Sequence, residues 1–374
     1  DAPVFAKYPV TVPVIDVTSI GAGGGSIAWI DEVGALKVGP HSSGADPGPI
    51  CYRAGGSEPT ITDANVVLGR LDPRNFLGGE IVLDAEGARA GIERKIAAPL
   101  GLSAVAAAQA ILDIAISKMS LAVREVSVEK GFDPRDFVLV ACGGAGPLHV
   151  CAIARELHIP KVIVPLFPSH FSALGMLLAD ERHDFIRTFY CDLASLDFKA
   201  LVAVHDEMAS EATKSLCHAR KAQWQIALDL RYVGQEFTLS VPVSRAMIAK
   251  AERQKIRAAF DALYEHRYAH QSPDEPVEMV NIRLAAIGKR PRLHFPKLAG
   301  RIAAKASRRR AVYLDDPRKP LSCPIYQRGE LGPGARIRGP ALIEEHGTTT
   351  ALFAQDRCSV ALSGELIIDV GGVS

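Results

Sequence analysis

Two glycine-rich segments hold the residues best suited to chemistry. GAGGGS (21–26) strings together backbone N–H groups with no side chains in the way. Gly23, Gly24, Gly25 and Ser26 can therefore form a concave nest for an anion. The same glycines also suit a tight turn where two backbones cross, and spacing alone leaves both readings open. No GK[ST] follows, and the next segment reads as strand rather than helix. That excludes a Walker A loop and a dinucleotide fingerprint. GGAGP (143–147) joins an apolar run to a helix start. Free N–H groups and the helix dipole favour a phosphate there, and Pro147 suits a first helical turn. Gly143, Gly144, Ala145 and Gly146 are nucleotide-contact candidates; the alternative is a close-packed strand-to-helix turn.

Other residue types are less telling. The loop carboxylates Asp46 and Asp63 can hold Mg2+ beside phosphates, against an Asx turn before Pro47 and a helix cap. His41, His149 and His183 are acid–base or ligand candidates, with packed or surface histidine as the plainer reading. Cys142, just before GGAGP, is either a nucleophile near a helix dipole or a strand-end thiol. No partner base is recognisable, so no catalytic residue is assigned.

The elements that must position these groups follow from hydrophobic period and punctuation. Residues 12–20 are β-rich, and 27–30 and 35–38 read as strands around a tight turn. Residues 41–56 hold too much Gly and Pro for regular structure. Thr62 or Asp63 caps a short helix through Leu68, Asp84 begins a second, and Ser103 begins a long one that Gly131 stops. Then come a strand at 137–141, the GGAGP turn, a helix at 148–157 and a strand at 162–164. This is a βαβ unit with its loop where open α/β sheets bind ligands. Beyond Asp184 the spacing predicts a hairpin (224–232 and 236–243), a helix at 248–270 and a strand at 277–287. Residues 293–310 read as a basic linker, and short strands follow at 341–344, 349–353 and 366–370.

Composition bounds the function classes. The 374 residues carry a net charge of +1, which offers no electrostatic case for nucleic acid or an anionic membrane. The one basic cluster, Lys305 with Arg308, Arg309 and Arg310, reads as a solvated loop. Seven cysteines without a CxxC spacing argue against a disulfide framework or a zinc cage and fit the cytoplasm. No transmembrane run or signal peptide is evident. The chain opens on Asp1 as if in mid-domain.

Several long blocks, in order, resemble the hydantoinase A/5-oxoprolinase family: VIDVTSIGAGGGSIAWID (14–31), LKVGPHSSGADPGPICY (36–52), PTITDANVVLGRLDP (59–73), VSVEKGFDPRDFVLVACGGAGPLH (126–149), PSHFSALGMLLADERHD (168–184) and GPALIEEHGTTTAL (339–352). The resemblance implies an α/β, actin-like ATPase fold of the sugar kinase/Hsp70 kind, partial here, with a small β-rich C-terminal module. The expected domains are a core at 1–190 with the GGAGP nucleotide loop, an α+β extension at 191–300 and the β-rich module at 301–374. It also implies ATP and Mg2+ as cofactors and ring opening of a cyclic amide through a phosphorylated intermediate. The implied partners are a B-type subunit and a missing N-terminal half that holds the family's two main phosphate loops. Two rivals accompany this reading: an ATP-using subunit of an acetone/acetophenone-type carboxylase, and a truncated non-catalytic scaffold.

Overall fold

The computed structural model describes residues 4–5, 8–9, 17–217, 222–290 and 304–373. It divides into two units, residues 1–173 with 295–374, and residues 174–294. The α/β class expected from the sequence is what the chain adopts.

In the first unit, strands β1 (Val4–Phe5) and β2 (Tyr8–Pro9) pair with each other. β3 (Ser26–Ile30) and β4 (Leu36–Ser42) form a hairpin. The expected β-rich run at 12–20 lies mainly outside the described residues, and 17–20 carry no strand. Helices α1 (Ile61–Val67), α2 (Ala85–Ile92), α3 (Ala98–Leu100) and α4 (Ala104–Val126) follow. Asp84 and Ser103 cap α2 and α4 through their side chains, as their residue types predict. Thr60, not Thr62 or Asp63, caps α1; Asp63 is the third helical residue and returns a bond to the Thr60 amide, a reciprocal capping box. On length and composition alone, Ala104–Lys130 passes for a membrane span. Its apolar face instead supplies Ala107, Ala108, Ile111, Leu112 and Ala115 to a buried core shared with α1, α2 and the β3–β4 hairpin.

β5 (Val138–Val140), α5 (Gly146–Glu156) and β6 (Lys161–Val164) realise the predicted βαβ unit, with β5 and β6 parallel. α6 (Phe171–Leu178) follows. The C-terminal strands are β11 (Arg308–Val312), β12 (Leu321–Gln327), β13 (Arg336–Arg338), β14 (Ala341–Glu345), β15 (Thr348–Leu352), β16 (Arg357–Val360) and β17 (Leu366–Asp369). They divide between two sheets. One is ordered β11-β12-β14-β15; the other, β13-β16-β17-β6-β5, is built jointly with the βαβ unit. Both sheets share one apolar core with α5. Residues 304–373 thus fold with the N-terminal elements rather than as a separate module, because β17 hydrogen-bonds directly to β6.

The second unit is an antiparallel sheet ordered β7-β10-β8-β9. Its strands are β7 (Glu181–Asp192), β8 (Ala222–Tyr232), β9 (Leu239–Val243) and β10 (Val277–Gly288). α7 (Phe198–Ser215), α8 (Arg245–Ala249) and α9 (Arg253–Tyr268) contribute to its core. The single helix expected at 248–270 is two, because Ala251 takes a left-handed conformation (φ 52°) between them.

Candidate functional site

The two glycine segments meet. A pocket of about 270 Å3 in the first unit is lined by Gly24 of GAGGGS and by Gly144 and Ala145 of GGAGP, with Leu148 behind them. The other walls come from the α1 region (Tyr52, Thr62, Asn65), from loop 71–77 and from the β14–β15 turn.

GAGGGS is a pinned turn. Ser26 donates its amide to the Gly23 carbonyl, and its hydroxyl accepts from the Gly23 amide, both at 2.9 Å. The same hydroxyl donates to the Gly21 carbonyl. Ser26 is buried and occupied with its own loop, so it cannot present its hydroxyl to a ligand. The Gly24 carbonyl accepts both the amide and the hydroxyl of Thr62 at 2.9 Å. A Cβ on Gly24 would lie 2.8 Å from that hydroxyl, which explains the glycine. Of the four candidates in this segment, only Gly24 reaches the pocket.

GGAGP opens α5. Gly143 has φ 84°, a left-handed conformation that favours glycine, and donates to the Pro168 carbonyl at 2.8 Å. The Gly144 carbonyl accepts the Thr348 hydroxyl, and a Cβ on Gly144 would stand 3.1 Å from the Gly347 carbonyl oxygen. The loop is therefore clamped to the β14–β15 turn. No side chain caps α5, and the residue at its start, Ala145, lines the pocket. Pro147 has no N–H and the Leu148 amide donates to the Ala145 carbonyl at 3.1 Å, so what this end of α5 offers a ligand is chiefly the positive end of the helix dipole.

One wall is aromatic: Tyr52 and Phe76 have ring centroids 5.7 Å apart at a 43° tilt. Another is charged but internally balanced. Glu344 pairs with Arg308 (2.7 Å) and Arg310 (2.8 Å), and Asp72 pairs with the same two arginines (2.7 and 3.0 Å). Asn75 and Gln327 also donate to Glu344. This corrects the solvated-loop reading of the basic cluster: Arg308 and Arg310 alternate on β11, so both reach the same carboxylates. Burial pushes the Glu345 carboxyl up, opposed by Arg328. At the rim, the exposed His346 contacts Glu80 at 3.0 Å.

The remaining candidates lie elsewhere. Asp63 is buried, and its carboxylate accepts the Thr60 amide and hydroxyl and the Ile50 and Cys51 amides. With those bonds it is a structural clamp, which corrects its assignment as a metal ligand. Asp46 is exposed and lines no part of the pocket. Among the described residues, no group of three or more His, Cys, Asp or Glu is placed to hold a metal ion. His149 is 2% exposed, both ring nitrogens lack hydrogen-bond partners, and burial together with Arg70 pushes it down to about 3. It is a neutral core histidine. His41 is exposed on β4, and His183 contacts Glu181 at 3.0 Å in the second unit. Burial raises the Cys142 thiol, the opposite of activation.

Sequence reasoning missed Tyr52, Asn65, Asn75, Glu344, Glu345, His346 and Thr348. The last four lie in a block already quoted, GPALIEEHGTTTAL, but about 200 residues from GGAGP, and no local signal ties the two together.

Comparison with known proteins accords with this arrangement. Residues 2–185 match the hydantoinase/oxoprolinase family, and 196–362 match the hydantoinase/oxoprolinase C-terminal domain. Caprolactamase subunit alpha of Pseudomonas jessenii is 36% identical over 355 residues, covering 92% of this chain and 51% of that protein. The chain spans about half the length of this relative and of the carboxylase subunits it matches, and 29–30% of the 5-oxoprolinases. The nucleotide-free structure of acetone carboxylase superposes with a TM-score of 0.86 at 27% identity, over 99% of this chain and 55% of that one. The crystal structure of ATP-dependent caprolactamase from P. jessenii gives 0.75 at 34% identity, with the same coverage. With both family models matched in order along the chain and the fold shared over its length, this protein belongs to the hydantoinase/oxoprolinase family.

Proposed function

We propose that the chain supplies the nucleoside side of an ATP-dependent cyclic-amide hydrolase of the hydantoin- or 5-oxoproline-opening type. One observation carries the reading: GGAGP and Gly24 converge on a single pocket with an aromatic wall and an uncapped helix N-terminus. Tyr52, Phe76, Leu71 and Leu148 suit the faces of a flat base. The positive end of the α5 dipole suits the phosphate that follows it. At about 270 Å3 the pocket is just below the usual range for drug-sized ligands, so it fits a nucleoside better than a whole triphosphate.

ATP would supply a phosphoryl group that, carried on the amide oxygen, makes the ring carbonyl carbon attackable by water; ring opening then requires the C–N bond to break with the nitrogen taking a proton, and the phosphate to be released by hydrolysis. The chain's own residues would hold and orient the nucleotide. The described residues do not fit a resident Mg2+, since Asp63 is committed to its amides and Asp46 stands outside the pocket. The reading therefore assigns the metal and the γ-phosphate grips to polypeptide beyond this chain, with a B-type subunit as a further partner. A second reading, an ATP-using subunit of a ketone carboxylase, draws on the 0.86 TM-score with acetone carboxylase. In the assembled enzyme, whether a lactam or a ketone with bicarbonate stimulates ATP hydrolysis separates the two.

Titration calorimetry with adenosine and ATP tests the site itself. Binding heat is expected for the wild type, with affinity at least about tenfold weaker in Gly144→Val, roughly 1.4 kcal/mol. The added side chain must displace the Gly347 backbone, 3.1 Å from the Cβ position. No heat at millimolar adenosine or ATP overturns the nucleotide site. Unchanged affinity in a folded Gly144→Val protein reduces the loop to a turn.

A further inference from the structure

The pocket keeps one buried acceptor open. Thr62 and Asn65, three residues apart on one face of α1, both line it. Their polar groups are used differently. The Thr62 hydroxyl donates to the Gly24 carbonyl at 2.9 Å. The Asn65 side chain donates through its NH2 group to the Ile61 carbonyl, one turn back, at 3.0 Å. A carbonyl can only accept, so this bond fixes which end of the amide is nitrogen. The other end is an oxygen, Oδ1, and it has no hydrogen-bond partner among the described residues.

Asn65 is 1% exposed. A buried acceptor without a donor is rare in folded proteins, because burial strips away its water and returns nothing. Nor does the helix call for asparagine, since leucine is the better former inside α1. The neighbouring polar groups do not answer it. Thr348 donates its hydroxyl to the Gly144 carbonyl, and Asn75 donates to Glu344. Arg308 and Arg310 are turned to Glu344 and Asp72. Glu345 is the other lining residue with an unpartnered buried side-chain oxygen. It follows Glu344 on β14, so its side chain leaves on the opposite face of the strand, where Arg328 acts on it. The open oxygen of Asn65 therefore belongs to the pocket, and a ligand must bring the donor.

We propose that Asn65 sets the selectivity of this site: its Oδ1 accepts a hydrogen bond from an N–H or O–H of the bound nucleoside. Adenosine carries two kinds of donor that can serve, the 6-amino group of its base and the hydroxyls of its ribose. A compound without the donor leaves the oxygen orphaned, and one that sets an acceptor there is repelled. Selectivity of this sort has no other evident source in the pocket. The aromatic wall stacks on any flat base, and the α5 dipole attracts any phosphate. Asn65 rests on the nucleoside reading for its ligand and adds to it the contact that tells one nucleoside from another.

Titration calorimetry on the full chain tests this with four probes: adenosine, purine riboside (no 6-amino group), 2′-deoxyadenosine and 3′-deoxyadenosine. One of the three analogues should bind roughly 10–100-fold more weakly than adenosine, and which one identifies the donor. In Asn65→Leu, adenosine should weaken by a similar factor and the four probes should bind alike; Asn65→Ala takes its place if the leucine variant melts early by circular dichroism. Adenosine binding that is matched by all three analogues overturns the role of Asn65 and leaves the nucleoside site standing. So does a preference that survives in the leucine or alanine variant. No binding of any probe to the wild type overturns both.

Discussion

Asp63→Asn distinguishes a clamp from a metal ligand, and the expected size of the effect follows from the hydrogen bonds. One carboxylate oxygen accepts the Thr60 amide (2.9 Å), the Thr60 hydroxyl (2.8 Å) and the Ile50 amide (3.3 Å); the other accepts the Cys51 amide (2.8 Å). An asparagine keeps one acceptor and turns the other into a donor. Whichever way it is placed, at least one buried N–H then faces an NH2 group. Such a group left without an acceptor costs about 1–3 kcal/mol, more when the lost bond was to a charge. The Thr60 hydroxyl can rotate to accept and recover part of this, so about 2–3 kcal/mol is expected. For a unit of this size that corresponds to a Tm lower by roughly 4–12 °C. Differential scanning fluorimetry, with and without Mg2+, reads it directly. A Tm within about 1 °C of wild type would refute the clamp, as would destabilisation that appears only when Mg2+ is present.

Two further perturbations follow from the buried charges. His149 titrates near 6.5 when unfolded and near 3 when folded, so only the unfolded chain takes up its proton in between. Its contribution to stability is complete above pH 6.5 and is lost as pH falls toward 3, by about 1.4 kcal/mol per pH unit. In His149→Phe the fall of Tm over that window should be shallower; equal slopes would mean that His149 is not neutral in the fold. Arg310→Met leaves Glu344 and Asp72 sharing Arg308 alone, and breaking a buried pair on one side costs about 3–5 kcal/mol. A urea midpoint that hardly moves would show the quartet to be solvated.

What the sequence showed depended on the range of the signal. Caps, the α4 stripe and the strand–GGAGP–helix unit are local, and Ser103, Asp84 and Pro147 occupy the kinds of position their types predict. Position 60 was missed because Thr60, Thr62 and Asp63 all favour a cap and only the three-dimensional bonds separate them. The pocket was half legible. Both glycine segments pointed to an anion, but the wall from β14 and β15 arrives from the far end of the chain. The arginines of β11 looked solvated because their carboxylates, Asp72 and Glu344, are remote in sequence. The joint sheet was missed for the same reason: no residue in 366–369 announces that its neighbour will be β6.

That last strand sets a timetable. β17 is not an appendage but lies between β16 and β6, near the middle of the sheet. When β5, α5 and β6 have left the ribosome, the strand that completes their inner face is still about 200 residues from synthesis. At roughly 5–20 residues per second, that is a wait on the order of 10–40 s. Through that interval Val162 and Val164 have no β17 beside them, and the edge of β6 is as open as that of β5. Newborn chains should therefore depend on chaperones that shelter β-strand edges, and Ile368→Asp, which disrupts β17, should cost most of the soluble protein.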